Sequence, residues 1–168
     1  MPEGDTIFRT AEVLHRVLVG KRVTAARAIA GPLLRRPPDL DALIDRSVIS
    51  VEARGKHLLI GFEAAPTEGS SHRLTLRTHM RMTGSWHRYR TGEPWRLPMR
   101  RASIVLKTAD AVAVCFDCPV AELLTDADLA RSWPLRTLGP DLLSATFDAA
   151  AASEDVVRSG STAEADPP

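Results

Sequence analysis

The feature that most constrains how this chain can fold is a succession of short apolar segments between positions 47 and 117. Residues 47–54 and 56–62 are separated only by Gly55, and residues 101–108 and 111–117 flank an Ala-Asp dipeptide. Segments joined by connections this short can pair only as antiparallel neighbours, because a parallel pair needs a crossover of a dozen or more residues. The pattern therefore predicts antiparallel hairpins.

One helix precedes these strands. Ile7, Ala11, Leu14 and Leu18 follow one another at spacings of four, three and four residues. This spacing places them on one stripe of an amphipathic helix over residues 3–19. Gly20 is a natural stop for that helix, since glycine is common just past a helix end.

Other segments complete the β-rich part. Residues 21–30 and 85–90 are candidate strands, and residues 39–44 predict a short helical turn. Leu74 and Leu76 alternate with polar neighbours, which is typical of a strand with one buried and one solvent-facing side.

The pattern changes after about Leu124. Thr125 can cap a short helix through Trp133, and residues 138–141 begin another segment. Residues 159–168 carry almost no apolar side chains, and we expect the tail over 153–168 to be disordered.

Composition bounds the class of protein. Hydrophobic residues make up 44% and charged residues 26% of the chain, which is ordinary for a globular domain. No apolar run approaches the ~20 residues of a membrane span. The polar, acidic start lacks the basic and then apolar pattern of a signal peptide. We therefore expect a cytoplasmic protein that makes no contact with a membrane.

The two cysteines form a single Cys-x-x-Cys at Cys115 and Cys118. Structural zinc usually needs four ligands, and the chain has no second cysteine pair. Residues three apart on a strand also point to opposite faces. The sequence therefore favours buried or half-buried thiols over a metal site.

The net charge of +1 conceals an uneven distribution of charge. Between positions 71 and 101, eight arginines are opposed only by Glu93, and three histidines and three aromatic residues lie among them. Guanidinium groups interleaved with aromatic rings suit phosphate contact and base stacking. The same composition also fits solvated strand faces, so both interpretations stay open at this point.

The start of the chain can carry chemistry. Initiator methionine is normally removed before a small residue, which leaves Pro2 as the N-terminus. An α-amino group titrates near ~8 rather than the ~10.4 of lysine, so a useful fraction of this amine is an unprotonated nucleophile at neutral pH. Glu3 lies beside it and can move protons. The alternative is structural, because proline followed by glutamate is also a favourable first helical turn.

Four motifs occur in order along the chain: MPEGDTI at 1–7, RGKHLL at 54–59, THMRMTGSW at 78–86 and LGPDLL at 138–143. Together they resemble the formamidopyrimidine-DNA glycosylase and endonuclease VIII family. Gly4 and the TGSW ending are closest to its endonuclease VIII-like branch. The resemblance covers roughly the first 145 residues.

The resemblance implies an α+β fold that is mainly antiparallel β. Residues 1–124 would form a two-layer β-sandwich with the N-terminal helix packed beside it. Residues 125–152 would form a short helical stub, the incomplete start of a helix–two-turns–helix domain, and 153–168 the disordered tail.

The resemblance also implies catalytic roles for three residues. Pro2 would attack C1′ of the damaged nucleotide and form a Schiff base. Glu3 would act as the general acid and base that helps to open the sugar and moves protons during elimination. Lys56 would contact the phosphate beside the lesion and take part in elimination.

A second set of residues would bind DNA. The loop of Arg81, Met82 and Thr83 would enter the duplex and fill the hole left by the flipped nucleotide, which the enzyme must turn out to reach its target atom. Methionine suits this task because it is flexible and apolar. Arg54 and His79, in the same motifs, are the further candidate DNA contacts.

The sequence departs from the family pattern in two places. Asp5 and Thr6 stand where many members carry proline and glutamate, which concerns the selection of the damaged base. The end of the chain also lacks matches to the family's second domain, because it contains no finger cysteines and no asparagine. We therefore expect no zinc and no other cofactor in this chain.

Three functions follow as hypotheses. The first is a DNA base-excision glycosylase with AP lyase activity, acting as a monomer on damaged double-stranded DNA in the nucleoid. The second is a catalytically inactive, truncated DNA-binding remnant of the same family. The third is a metal-dependent hydrolase that uses His72, His79, His87 and the cysteines.

Overall fold

A computed structural model describes residues 3–65 and 72–131, and only the backbone of Glu3 and Gly4. Its helices and strands are, in chain order, α1 Glu3–Leu18, β1 Ala25–Ala28, β2 Val48–Arg54, β3 His57–Phe62, β4 Leu74–His79, β5 Ser85–Arg90, β6 Ala102–Lys107, β7 Ala111–Phe116, β8 Val120–Thr125 and α2 Asp126–Arg131. A 3-10 turn at Leu40–Leu43 matches the helical turn predicted over 39–44.

The strands form two four-stranded antiparallel sheets. Their orders are β1-β6-β7-β5 in the first sheet and β2-β3-β4-β8 in the second. The main core lies between the sheets, where Ile60 and Leu76 of the second pack in one cluster with Ile104 and Leu106 of the first. The two-layer sandwich and both expected hairpins, β2–β3 and β6–β7, are confirmed.

Helix α1 buries the stripe that its sequence predicts. Ile7, Ala11, Leu14 and Leu18 all belong to the core, and Leu14 is fully buried. Gly20 has a φ of 78°, in the left-handed region that a side chain would oppose, and its N–H donates to the Val48 carbonyl over 2.8 Å. The helix therefore ends where predicted, and the chain turns directly onto the start of β2.

Two strand predictions need correction. The strand expected over 21–30 is only four residues long, because Arg22 makes no more than an isolated bridge to Ser47 before β1 begins. The solvent-facing side expected for β4 is wrong, since Thr75 and Arg77 are buried. β4 lies between β3 and β8, so neighbouring strands flank its polar side chains on both sides.

The two thiols are buried, as expected. The argument that they point to opposite faces is wrong, because β7 ends at Phe116 and Asp117 has a φ of 48°. That turn brings Cys115 and Cys118 into the same core cluster. Burial raises the pKa of the Cys115 thiol well above its ordinary value.

The cap at Thr125 is confirmed. Its hydroxyl accepts from the Asp128 N–H (3.2 Å), and its own N–H donates to the Asp128 carboxylate (3.1 Å), a reciprocal pair typical of a helix start. The predictions for residues 132–152 and for the tail at 153–168 lie outside the described residues. Within the described ranges, no helix is long and apolar enough to cross a bilayer.

Candidate nucleic-acid interface

The turn between β2 and β3 presents two basic side chains. Arg54 ends β2 and pairs with His57, the first residue of β3, so only Gly55 and Lys56 form the connection. Gly55 has a φ of 57°, which favours glycine and allows this tight reversal. Arg54 and Lys56 are exposed at the tip. The turn therefore holds two cations at the end of the second sheet.

The loop after β4 lies beside this turn. His79, the last residue of β4, pairs in register with His57. The chain then passes through Met80, which is buried, and through Arg81, Met82 and Thr83, which are exposed. Met82 has 85% of its surface exposed, an unusual placement for a large apolar side chain. The register thus brings the predicted wedge next to the basic turn.

Three backbone features hold this loop in one shape. The Gly84 N–H donates to the Met80 carbonyl over 2.8 Å. The Arg81 N–H donates to Nδ1 of His79 over 3.3 Å, and Arg81 has a φ of 49°. Because Met80 is anchored in the core and a hydrogen bond closes the loop behind Met82, the tip projects as a compact turn.

His57 was not singled out from the sequence, yet it lies at the centre of the site. Its ring meets the ring of His79 edge to face, with 4.7 Å between centroids. Burial lowers the pKa of His57 to about 4, with help from the nearby His79 and Arg77, while Glu122 acts in the opposite direction. The ring is therefore uncharged at neutral pH.

Burial also lowers the pKa of His79. The positive charges of Arg81, Lys56 and Arg77 lower it further, in that order of size. These influences show that the cations of both loops act on one ring. Since Nδ1 of His79 accepts the Arg81 N–H, the neutral ring carries its proton on Nε2. A neutral His79 can therefore donate one hydrogen bond, while the positive charge of the site comes from lysine and arginine.

Arg77 is the second residue that sequence reasoning missed. It has 6% of its surface exposed and pairs with Glu122 on β8, while its Nε and Nη1 are buried without a partner. Arg77 therefore contributes to the interior of the sheet face and is not part of a continuous arginine surface. Only the position of β4 between two strands could have revealed this.

The start of α1 points toward the same end of the sheet. The helix end is held at Val48 through Gly20, and Nδ1 of His15 lies 3.4 Å from the Val51 carbonyl oxygen, so α1 runs antiparallel to β2. From His15 back to Glu3 the helix rises about 18 Å. β2 continues about 10 Å from Val51 to Arg54, and the turn extends beyond it. The first helical turn therefore lies at the end of β2 that carries the basic turn.

The described residues thus place Arg54, Lys56, His79 and the loop 81–83 at one end of the second sheet, with the backbone of Glu3 directed toward it. Pro2 lies outside the described residues, and so does the side chain of Glu3.

The histidines proposed for a metal site do not gather. His87 lies on β5, where its ring meets Phe116 with 5.2 Å between centroids, and the cysteines lie in the core. Among residues 3–65 and 72–131, no three His, Cys, Asp or Glu side chains are placed to hold one metal ion.

The geometry defines an antiparallel β-sandwich with an N-terminal helix and a basic, methionine-tipped end. The formamidopyrimidine-DNA glycosylase N-terminal domain family matches residues 1–119, and the chain belongs to this family.

Similar proteins agree with this assignment. The chain is 35% identical to the probable endonuclease 8 2 of Streptomyces coelicolor. That alignment covers the whole of this chain and 53% of the relative. The chain is 34% identical, over 93% of its length, to 54% of the DNA-(apurinic or apyrimidinic site) lyase Nei2 of Mycolicibacterium smegmatis. The chain spans about half the length of these relatives.

A solved structure shares the fold. This chain superposes on the Lactococcus lactis Fpg protein in a complex with DNA that contains an abasic site, with a TM-score of 0.60 and 20% sequence identity. The superposition covers 83% of this chain and 48% of the Fpg chain. This similarity confirms the mainly antiparallel β architecture with its N-terminal helix.

Proposed function

We propose that this chain is a DNA glycosylase and AP lyase domain that removes oxidised bases through a Schiff base on Pro2. The observation that carries the proposal is the convergence of three features at one end of the second sheet. These are the first turn of α1, the basic turn at Arg54–Lys56 and the loop tipped by Met82. The relatives named endonuclease 8 and DNA lyase support the same activity.

In the proposed reaction, the secondary amine of Pro2 attacks C1′ as the bond to the damaged base breaks. Glu3 supplies a proton to the opening sugar, and the product is an iminium that joins Pro2 to C1′. The iminium acidifies the C2′ proton. Loss of that proton and departure of the 3′ phosphate then cut the strand, and water releases the enzyme.

The described residues would hold the DNA around this chemistry. Lys56 and Arg54 would neutralise phosphates, and His79 would donate Nε2–H to a phosphate oxygen. Met82 would enter the duplex and take the place of the nucleotide that has been turned out, because an exposed apolar tip gains by leaving water. We propose that the protein acts as a monomer on chromosomal DNA in the cytoplasm.

The test is covalent trapping. The purified chain, with loss of Met1 confirmed by intact mass, is incubated with abasic double-stranded DNA and sodium borohydride, which reduces the iminium to a stable adduct. Other amines that could react are those of only three lysines, at positions 21, 56 and 107. Cleavage after arginine and mass spectrometry should place the adduct on the peptide 2–9.

Two variants control the assignment. Pro2→Gly should lose most of the adduct, and Lys56→Met should keep its site of attachment while requiring lower salt for the same yield. An adduct on a lysine would contradict the proposal. DNA binding without any adduct, at high protein concentration and low salt, would favour the inactive remnant.

A further inference from the structure

Three side chains on β5 form a line of hydrogen bonds that runs along the strand. Nε2 of His87 lies 3.0 Å from the Ser85 hydroxyl oxygen, and Nδ1 of His87 lies 3.4 Å from the Tyr89 hydroxyl oxygen. The Arg96 backbone N–H donates to that tyrosine oxygen over 3.2 Å. Because residues two apart on a strand share one face, the line connects the segment after β5 with the first residue of the strand.

The surroundings of His87 hold its ring in place and keep it uncharged. The ring meets Phe116 edge to face and stacks with Tyr89, with 6.2 Å between the centroids of the stacked pair. Burial, and then the charge of Arg96, lowers the pKa of His87, so the ring is neutral at neutral pH. A neutral imidazole donates from one nitrogen and accepts at the other. The direction of the line therefore depends on which nitrogen of His87 carries the proton.

Tyr89 determines which nitrogen carries the proton. Its oxygen already accepts the Arg96 N–H, and within the described ranges the only acceptor that its own proton meets is Nδ1 of His87. Tyr89 has 4% of its surface exposed, so a hydroxyl proton without an acceptor would be buried at a cost in stability. Nδ1 therefore accepts, and Nε2 carries the proton and donates to the Ser85 oxygen. The Ser85 hydroxyl proton is then left without an acceptor in the described part of the chain.

Ser85 lies at the foot of the Met82 loop, by which we mean residues 80–84. This loop joins His79, the last residue of β4 in the second sheet, to Ser85, the first residue of β5 in the first sheet. Ser85 is partly exposed, so a ligand can reach its hydroxyl. His79 and Ser85 therefore flank the base of the loop, one on each sheet, and each has one proton to donate.

We propose that the Ser85 hydroxyl donates to a phosphate of the strand opposite the lesion, and that His87 and Tyr89 are positioning residues that keep its proton free for this bond. A side chain inserted between base pairs has a DNA backbone on each side of it. His79 and Lys56 would hold one backbone from the second sheet, so a donor on the other side of the loop meets the opposite strand. A phosphate contact of this kind fixes the register of the protein on the duplex. The inference rests on the DNA binding in the proposed function.

The experiment measures the dissociation constant for duplexes with a tetrahydrofuran residue, an abasic analogue that cannot form an iminium. Ser85→Ala should bind about tenfold more weakly, the usual worth of a hydrogen bond to a charged group, whereas Ser85→Thr keeps the hydroxyl and should bind within about twofold of the wild type. Thr91→Ala removes an exposed hydroxyl just past the other end of β5 and should have no effect.

A second set of duplexes locates the phosphate. Phosphates of the strand opposite the analogue are replaced one at a time by uncharged methylphosphonates. One replacement should weaken binding of the wild-type chain by about tenfold but should weaken binding of Ser85→Ala by less than about twofold, because that variant has already lost the contact.

The positioning role has its own readout. Nitrogen-15 NMR of the histidine side chains should show His87 with its proton on Nε2 in the wild-type chain. Tyr89→Phe keeps the ring but removes the hydroxyl that fixes this tautomer, so the Nδ1–H form of His87 should become populated. The variant should weaken DNA binding less than Ser85→Ala does, because the serine hydroxyl is still present.

Other results would overturn the inference. A wild-type His87 with its proton on Nδ1 would leave Ser85 without a free proton. If every methylphosphonate affects the wild type and Ser85→Ala equally, Ser85 contacts no phosphate of that strand. Because the analogue cannot form an iminium, the expected pattern in a chain that gives no adduct on abasic DNA would support the contact while the proposed catalysis fails. A chain that does not bind the duplex would contradict both.

Discussion

The loop that carries Met82 depends on a glycine for packing reasons, and replacement of that glycine tests the proposed wedge. A Cβ added at Gly84 would lie 2.6 Å from the Met80 carbonyl oxygen and 2.8 Å from the Met80 Cα. Both are backbone atoms, and Met80 itself is buried. The clash can therefore be relieved only by opening the loop or by moving Met80 out of its place in the core.

The expected cost of Gly84→Ala follows from these contacts. Loss of the hydrogen bond from Gly84 to Met80 costs about 1 kcal/mol net. Overpacking against a buried neighbour adds about 2 kcal/mol. A total of about 3 kcal/mol should lower the melting temperature by roughly 6–12 °C in a domain of this size. The measurement is thermal unfolding followed by circular dichroism, with urea unfolding at 25 °C as a second estimate.

Gly92→Ala is the matched control. Gly92 has a φ of 83° but nothing within 4 Å of its added Cβ, so the variant carries backbone strain without a clash. That strain costs about 1–2 kcal/mol. If Gly84→Ala unfolds at the same temperature as Gly92→Ala or above it, the close contact does not hold the loop. In trapping experiments only Gly84→Ala should weaken DNA binding, since Gly92 is remote from the Met82 loop in sequence and structure.

Two further predictions concern the interior of the second sheet. His57 takes up its proton near pH 4 in the folded chain but near 6.5 when unfolded, so its contribution to stability is present above pH 6.5 and is lost as the pH falls toward 4. Solvent screening reduces this contribution to about 1–2 kcal/mol. The free energy of unfolding in urea should therefore fall less between pH 7 and pH 5 for His57→Phe than for the wild type. Equal falls in the two proteins would contradict the assignment. Arg77→Met should leave the free energy of unfolding unchanged or raise it, because the variant removes two unpartnered donors and leaves Glu122 half-exposed. Glu122→Gln should lower the free energy of unfolding by about 2–3 kcal/mol, because Arg77 stays buried without its carboxylate. If urea unfolding instead shows Arg77→Met to be less stable than Glu122→Gln, this reasoning about the buried guanidinium is wrong.

The sequence predicted those parts of the fold that depend on local spacing. The stripe from Ile7 to Leu18 specifies a helix with one buried face, and Gly55 specifies a tight turn, because both patterns follow from backbone periodicity. β8 was missed for the opposite reason. Its partner β4 lies more than forty residues earlier in the chain, and nothing local in Val120–Thr125 indicates that pairing.

The error at β4 follows from the omission of β8. Alternation of Leu74 and Leu76 with polar residues predicts a solvent-facing side for a strand at the edge of a sheet. Once β8 pairs with it, Glu122 stands opposite Arg77, and the guanidinium becomes part of a covered face. Arg77 lies near His57 through the pairing of β3 with β4, and burial is the main cause that lowers the pKa of His57. The undetected strand β8 therefore hid the pairing of Arg77 with Glu122.

The position of the proposed nucleophile depends on a relation that no motif contains. The stripe on α1 determines which face is buried but leaves the direction of the helix against the sheet open. That direction is set by the turn at Gly20, where the N–H donates to Val48 and the Lys21 carbonyl accepts the Val48 N–H (2.9 Å). These contacts fasten the end of α1 to the start of β2, so the start of α1 must lie toward the end of β2. Because that end is the basic turn, lengthening the helix by one residue would rotate the proposed nucleophile by about 100° and move it about 1.5 Å relative to Lys56. The chemistry proposed for Pro2 therefore depends on the length of α1 as much as on the amine itself.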